Sequence, residues 1–242
     1  MDLDARSLGN KVDALLEERF HEVSIDTVPE AGDRRLTHGG TGLAGEFTFL
    51  YVDMRSSSAL SWAYRRQSVA KLYKAFHHCM VEAVKAGNGR VRSFDGDRVL
   101  GIFAGASRAD QAVDTALHMV GCKEEILVPK IQAKYQNDSF DIGIGIATGP
   151  ALAMKAGVGY DMNNRDLVWI GDPPNLGSKL SDLAREPESI YICRTTFDLL
   201  GISNRYTTKS GEKIDMWEKK ALSFNDGQVE CYSSAWYRKL IR

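Results

Sequence analysis

Two carboxylates in this chain stand where chemistry is possible. Asp53 closes Phe47-Thr-Phe-Leu-Tyr-Val-Asp53, a run of aromatic and β-branched residues that reads as a buried strand. The small polar run Met54-Arg-Ser-Ser-Ser58 then reads as a turn opening a helix. Asp97 belongs to a second turn. Arg90-Val-Arg-Ser-Phe94 and Asp97-Arg-Val-Leu-Gly-Ile-Phe103 are two short strand patterns around Asp95-Gly96, a strong hairpin signal. The pattern predicts that Asp53 and Asp97 meet at one edge of one sheet and hold metal ions. Either residue alone says little, because an Asp at a strand end or beside a turn is commonly a cap or simply solvated.

The elements that must position them follow from the rest of the chain. Its 242 residues are 43% hydrophobic and 26% charged, ordinary proportions for a globular protein. Lys plus Arg (31) nearly balances Asp plus Glu (32), which argues against a broad nucleic-acid footprint. No apolar run approaches the roughly 20 residues that cross a bilayer, and no basic-then-apolar signal segment opens the chain. Cys79, Cys122, Cys193 and Cys231 are far apart and form no CxxC pair, so they read as reduced structural thiols. The expectation is a cytoplasmic protein with neither nucleic-acid nor membrane partners.

Residues 3–20 carry Leu8, Val12, Leu15, Leu16 and Phe20 at helical spacing, a helix that packs on the domain or on a partner copy. Residues 25–45 show no period and read as an irregular connector, so the catalytic domain is expected over 46–242 and an N-terminal extension over 1–45. An amphipathic helix over 67–86 ends at Gly87-Asn-Gly89. Ser107-Arg-Ala-Asp110 has the capping-box pattern and starts a helix to about 135. Phe140-Asp-Ile-Gly-Ile-Gly-Ile-Ala147 alternates Gly with apolar residues, a strand with close backbone neighbours, which Thr148-Gly-Pro150 is expected to break. A strand over 166–170 leads to Asp172-Pro-Pro174, read as N-cap and first helical turn. A strand over 189–193 and a short helix follow, and the tail shows strand character only near 229–232. Hairpins mixed with helices argue an α+β fold: an antiparallel-rich sheet with helices packed on it, on one face.

These residues resemble the catalytic domain of the class III nucleotidyl cyclases, from about 46 to 200. Tyr51-Val-Asp53-Met54 resembles the family's first metal strand, and Phe94-Asp-Gly-Asp97-Arg-Val-Leu-Gly-Ile-Phe103 its second-metal hairpin. Ile142-Gly-Ile-Gly-Ile-Ala-Thr-Gly149 resembles its Gly-containing strand, and Trp169-Ile-Gly-Asp-Pro-Pro-Asn175-Leu-Gly-Ser-Lys179 the strand and helix that carry its catalytic Asn and Arg. The resemblance implies a ferredoxin-like fold, and two divalent metals per site, Mg²⁺ or Mn²⁺, held by Asp53, Asp97 and the Met54 carbonyl. It also implies attack of a ribose 3′-oxygen on the α-phosphorus, with pyrophosphate leaving. Asn175 would orient the ribose and Lys179 would stabilise the transition-state phosphate, both from the other subunit of an antiparallel homodimer with composite sites. Arg55, Ser56, Ser57 and Ser58 stand where the family turns around the triphosphate. Asn175 and Lys179, four residues apart, share a helix face that would otherwise be read as merely solvated.

Three positions depart from the purine-cyclase pattern. The residue four before the second metal Asp is usually Lys or Glu, and here is Ser93. The base-facing residue before the Ile-Gly turn is usually polar, and here is Val168. The transition-state Arg is replaced by Lys179, which supplies charge without a planar fork. Tyr51 stands where many purine cyclases carry a small residue, on the same strand face as Asp53. A smaller pocket with Arg92 and Ser93 as donors suits a pyrimidine. The chain therefore resembles the pyrimidine cyclases of the Pycsar anti-phage systems, which implies cyclic UMP, or alternatively cyclic CMP, read by a separate cyclic-nucleotide-responsive effector. Two other readings remain open on the sequence: an adenylate cyclase with an unusual pocket, and a non-catalytic cyclase-like regulatory domain.

Overall fold

The first elements of the chain stand apart from its core. In the computed structural model, which describes residues 4–55, 57–136, 140–157, 165–225 and 227–241, α1 (Ala5–Glu17) is N-capped by Asp4, whose carboxylate accepts the Arg6 N–H at 3.0 Å. No residue of α1 is buried, and Leu16 is 81% exposed, so this helix is not a lid on the domain. β1 (His21–Ser24) pairs in parallel with the start of β2 (Thr41–Met54), His21 opposite Thr41. β2 is thus 14 residues long and crosses the expected boundary at residue 45. Gly42 and Gly45 conceal its first half: Phe20 and Leu152 side chains crowd Gly42, and Phe47 crowds Gly45, leaving no room for side chains.

α2 (Ser57–Ala63) and α3 (Arg66–Ala86) follow. α3 buries Leu72, Phe76, Met80 and Val84, one residue per turn, and ends where the Gly87 N–H donates to Ala83 O at 3.0 Å. β3 (Arg90–Asp95) and β4 (Arg98–Ala104) form the hairpin. Asp95 pairs with Arg98, so its two-residue turn is Gly96-Asp97, one step later than the sequence suggested. Gly96 takes the positive φ of 58° that such a turn requires. Ser107 precedes α4 (Arg108–Cys122) but makes no side-chain cap hydrogen bond, so the expected capping box does not form. A π-helical stretch (Lys123–Leu127) runs into α5 (Val128–Tyr135).

β5 (Ile142–Gly157) does not break at Thr148-Gly-Pro150. On its outer side the strand at Ile190–Cys193 (β7) pairs only with Ile144–Ile146, and β6 (Arg165–Ile170) only from Leu152 onward. Pro150 sits in the gap between those two neighbours, where a missing N–H disrupts no ladder. α6 (Asp172–Leu183) begins after Gly171, so Asp172 is its first residue and not its cap. β7 (Ile190–Cys193), α7 (Arg194–Asp198) and α8 (Ile202–Arg205) follow. The tail then forms two hairpins, β8 (Tyr206–Lys209) with β9 (Glu212–Asp215), and β10 (Glu218–Phe224) with β11 (Gly227–Ser234).

Among the described residues the main sheet has nine strands, in the order β10-β11-β7-β5-β2-β4-β3, with β1 on β2 and β6 on β5. Its pairs are antiparallel except β1–β2 and β5–β7. The fold is α+β, as expected, but helices cover both faces. Leu50, Val52 and Met54 of β2 pack with Phe76, Met80, Val113 and Leu117 of α3 and α4. Phe47, Phe49 and Tyr51 alternate with them and point the other way, towards Trp169 and α6. That second face also carries Asp53.

Candidate active site

β2 and β4 run antiparallel with Asp53 opposite Arg98, and the Met54 N–H donates to Asp97 O at 3.1 Å. The two aspartates, 44 positions apart in the chain, therefore occupy neighbouring strand ends at one sheet edge. Asp53 is only 14% exposed, and its Oδ2 accepts from Arg55 Nη1 at 3.2 Å and Arg98 Nη2 at 3.4 Å. Burial raises the Asp53 pKa above the usual carboxylate value; the Arg98 and Arg55 charges pull it down, and the Asp97 charge adds to the rise.

Arg98 was not singled out from the sequence, yet it joins three elements. Its Nη1 donates to Ser178 Oγ at 2.8 Å and its Nη2 to Asp182 Oδ1 at 2.6 Å. Ser178 and Asp182 are four apart on α6 and share a face. Burial lowers the Arg98 pKa, but the Asp53 and Asp182 carboxylates outweigh it and the net shift is upward. The i,i+4 pair and the arginine directly after Asp97 are visible in the sequence; that they meet is a tertiary fact.

Arg55 departs from its expected place at the phosphate-binding turn. Its N–H donates to Asp141 O at 2.8 Å, its Nε donates to Ala184 O at 3.0 Å, and its side chain is 11% exposed. It turns inward over Gly143, where any Cβ would collide with its guanidinium. Burial lowers its pKa. Asp141, which fixes the Arg55 backbone, is itself held by the fully buried Lys123 at 3.1 Å. Ser56 lies outside the described residues. Ser57 and Ser58 open α2 and remain at the surface, Ser57 half-buried and Ser58 exposed.

Tyr51 pairs with Leu100, and Leu100 with Ser93, so the three form one row across β2, β4 and β3 on the face that carries Asp53. The Tyr51 ring packs against α6, 3.2 Å from where a Cβ on Gly177 would lie, and burial raises its pKa. Arg92 is the extra residue of a β-bulge between Val91 and Ser93. Its Nη1 donates to Val91 O at 3.3 Å, while its Nε and Nη2 are buried without partners among the described residues.

Asn175 and Lys179 both lie exposed on α6. Asn175 Nδ2 donates to Gly171 O at 3.2 Å, and Lys179 makes no side-chain contact of this kind among the described residues. Asn175 is seven residues before Asp182, about 10 Å along the axis at 1.5 Å per residue, and its side chain makes no contact with Asp53 or Asp97 among the described residues. Val168 is further off. It pairs with Met154, nine residues along β5 from the Gly145 that opposes Tyr51, a span of roughly 30 Å. Within one chain, then, Asp53, Asp97, Tyr51 and Ser93 come together, Val168 lies far off, and Asn175 and Lys179 stay exposed on α6 without a contact to them among the described residues.

The sheet edge with its two aspartates, flanked by α6, sits in a fold shared with solved nucleotide cyclase domains. The adenylyl cyclase CyaB from P. aeruginosa superposes with a TM-score of 0.69 at 22% identity, covering 81% of this chain and 97% of that one. The guanylyl cyclase Cya2 gives 0.67 at 18% identity, covering 81% and 94%. No protein-family model matches the chain. Sequence relatives narrow the class: a uridylate cyclase of Rhodovulum sp. (strain MB263) is 32% identical over 229 residues, 91% of each protein. Another from Xanthomonas perforans is 31% identical over 208 residues, 84% of this chain and 85% of its own. The chain belongs to the uridylate cyclase family, and it is a nucleotide cyclase.

Proposed function

We propose that this enzyme converts UTP to cyclic UMP and pyrophosphate in sites shared between two copies of the chain. The observation that carries the reading is the meeting of Asp53 and Asp97 beside the Tyr51–Leu100–Ser93 row. Uridylate cyclases among its relatives support the choice of base.

The donor set suits hard divalent cations. Two carboxylates lie together, and among the described residues no group of three or more His, Cys, Asp or Glu side chains could hold a metal alone. Mg²⁺ and Mn²⁺ are commonly bound in this way, by one or two carboxylates with substrate phosphates completing the shell. Asp53, Asp97 and the Met54 carbonyl would hold two such ions, which when bound supply Lewis-acid stabilisation of charge on the reacting phosphate.

The chain's own residues do the rest. Tyr51 walls the base pocket on the β2 side, leaving room for a single ring, and Ser93, with Arg92, offers donors to the uracil carbonyls. Ser57 and Ser58, at the start of α2, would offer hydroxyls to the triphosphate. Asn175 of the second copy orients the ribose so that its 3′-oxygen lies in line with the α-phosphorus. Lys179 of that copy neutralises the charge that develops there. The 3′-hydroxyl gives up its proton to solvent, the O3′–P bond forms as the bond to the β-phosphate oxygen breaks and pyrophosphate leaves, and positioning supplies much of the rate. The product fits a second messenger in anti-phage defence, read by a separate effector that the enzyme does not contact. Among the described residues no helix is long and apolar enough to cross a membrane.

The test offers ATP, GTP, CTP and UTP separately with Mn²⁺ and identifies products by mass spectrometry. Cyclic UMP dominates on this reading. Dominant cyclic AMP overturns the pyrimidine pocket, and no product from any nucleotide overturns the catalytic reading. Asp53→Ala and Asp97→Ala each abolish product while the far-UV circular dichroism stays that of the wild type.

A further inference from the structure

Two guanidinium groups share Asp53 Oδ2, and they differ in freedom. Arg55 is bolted down by Ala184 O and is 11% exposed; Arg98 is 26% exposed and reaches outward to α6. The Arg98 Nη2 that touches Asp53 at 3.4 Å is closer to Asp182, at 2.6 Å, and Nη1 is 2.8 Å from Ser178. Arg98 is therefore anchored on α6 and leans on Asp53. A divalent cation at Asp53 competes with that lean, while the two anchoring contacts need not break.

We propose that Arg98 is a positioning residue that yields Asp53 to the incoming cation while keeping hold of Ser178 and Asp182, so that cation binding at the carboxylate edge is felt by α6. This rests on the two-cation reading above. Its consequence lies in the shared site: α6 carries Asn175 and Lys179, which serve the other copy's carboxylates. Arg98 thus links the loading of one site to the helix that completes its neighbour. Sharing Nη2 between two carboxylates weakens its hold on each, so Asp182 sets how strongly Arg98 opposes the cation.

Removing Arg98 and removing its partner Asp182 give effects of opposite sign, which a merely structural role would not. The experiment titrates MnCl₂ calorimetrically into the full chain without nucleotide. Arg98→Met binds Mn²⁺ about two- to fivefold tighter, the range set by losing one partly exposed ion pair. Asp182→Asn binds it more weakly, because Nη2 loses its nearer partner and settles on Asp53. The double variant behaves as Arg98→Met. Hydrogen exchange of amides 172–183 changes on adding Mn²⁺ in the wild type and not in Arg98→Met. Equal or weaker binding by Arg98→Met, tighter binding by Asp182→Asn, or unchanged wild-type exchange overturns the Arg98 link alone. A wild-type chain that binds no Mn²⁺ overturns the cation reading and this link with it. If Arg98→Met does not fold, the sign of Asp182→Asn still decides.

Discussion

If each site is built from two chains, two inactive variants must rescue one another. Asp53→Ala removes a carboxylate from the sheet edge, and Asn175→Ala removes the ribose contact proposed for α6. Within one chain no contact joins these residues among those described: Asn175 is exposed on α6 and its side chain donates to Gly171 O at 3.2 Å. In a two-fold dimer of one variant with the other, the site combining the intact Asp53 with the intact Asn175 is whole, and its twin carries both lesions. Random re-pairing of an equimolar mixture makes half the dimers mixed, each with one site of two, so the mixture reaches about a quarter of wild-type activity per chain. Either variant alone retains about 1% or less, the loss typical when a group contacting the transition state is removed. The assay follows product from UTP after co-incubation at a concentration that permits exchange, with each variant alone as control. Activity no greater than the sum of the two controls refutes the shared-site geometry.

Other perturbations test other parts. Tyr51→Ala opens the pocket and lowers the preference for UTP over ATP about tenfold or more; unchanged selectivity in competition assays removes Tyr51 from base choice. Gly145→Ala drives a Cβ into Gly177 O and Ser181 N of α6, backbone atoms that cannot rotate away. It costs at least about 3 kcal/mol, a fall of roughly 6–12 °C in Tm for a chain of this length, and an unchanged Tm refutes the close packing of α6 on β5. The Asp53 pKa lies above the ordinary 3.8, chiefly through burial. The native state therefore holds the proton more tightly than the unfolded chain, and wild-type stability in EDTA falls as pH rises through that window. Asp53→Asn lacks the slope, so its stability relative to the wild type rises as pH climbs above the ordinary carboxylate value in denaturant titrations; a relative stability that stays flat or falls refutes the assignment.

Much of this architecture is legible locally. The end of β2, the hairpin at Gly96-Asp97 and the start of α6 declare themselves through alternation, a turn glycine and two prolines. What is not legible depends on distant partners. The start of β2 hides behind Gly42 and Gly45, small because other side chains fill their space. β5 survives Pro150 because its neighbours on that side happen to leave a gap there. The β10–β11 hairpin is rich in Lys, Ser and Gln and half exposed, so its alternation is faint. At the site, Asp53 beside Asp97 follows from one strand end and one turn. The inward turn of Arg55 does not, because it needs the bare backbone of Gly143, 88 positions later.

That last dependence extends along the whole of Ile142-Gly-Ile-Gly-Ile146. The isoleucines 142, 144 and 146 lie in the core with α3 and α4, and the glycines alternate onto the opposite face. Each glycine opposes a residue of β2 on the chemical face: Gly143 faces Asp53, Gly145 faces Tyr51 and Gly149 faces Phe47. Each also admits a different occupant. Gly143 takes the Arg55 guanidinium, Gly145 the backbone of α6 at Gly177 and Ser181, and Gly149 the ring of Pro173, whose Cγ would lie 2.9 Å from a Cβ there. A strand with side chains on both faces would lift α6 from the sheet. Ser178 and Asp182 would then leave Arg98, and Arg55 would leave Asp53. The bare face of β5 is therefore what lets two separate stretches of chain, the carboxylate edge and the Asn–Lys helix, be held in fixed relation by one sheet.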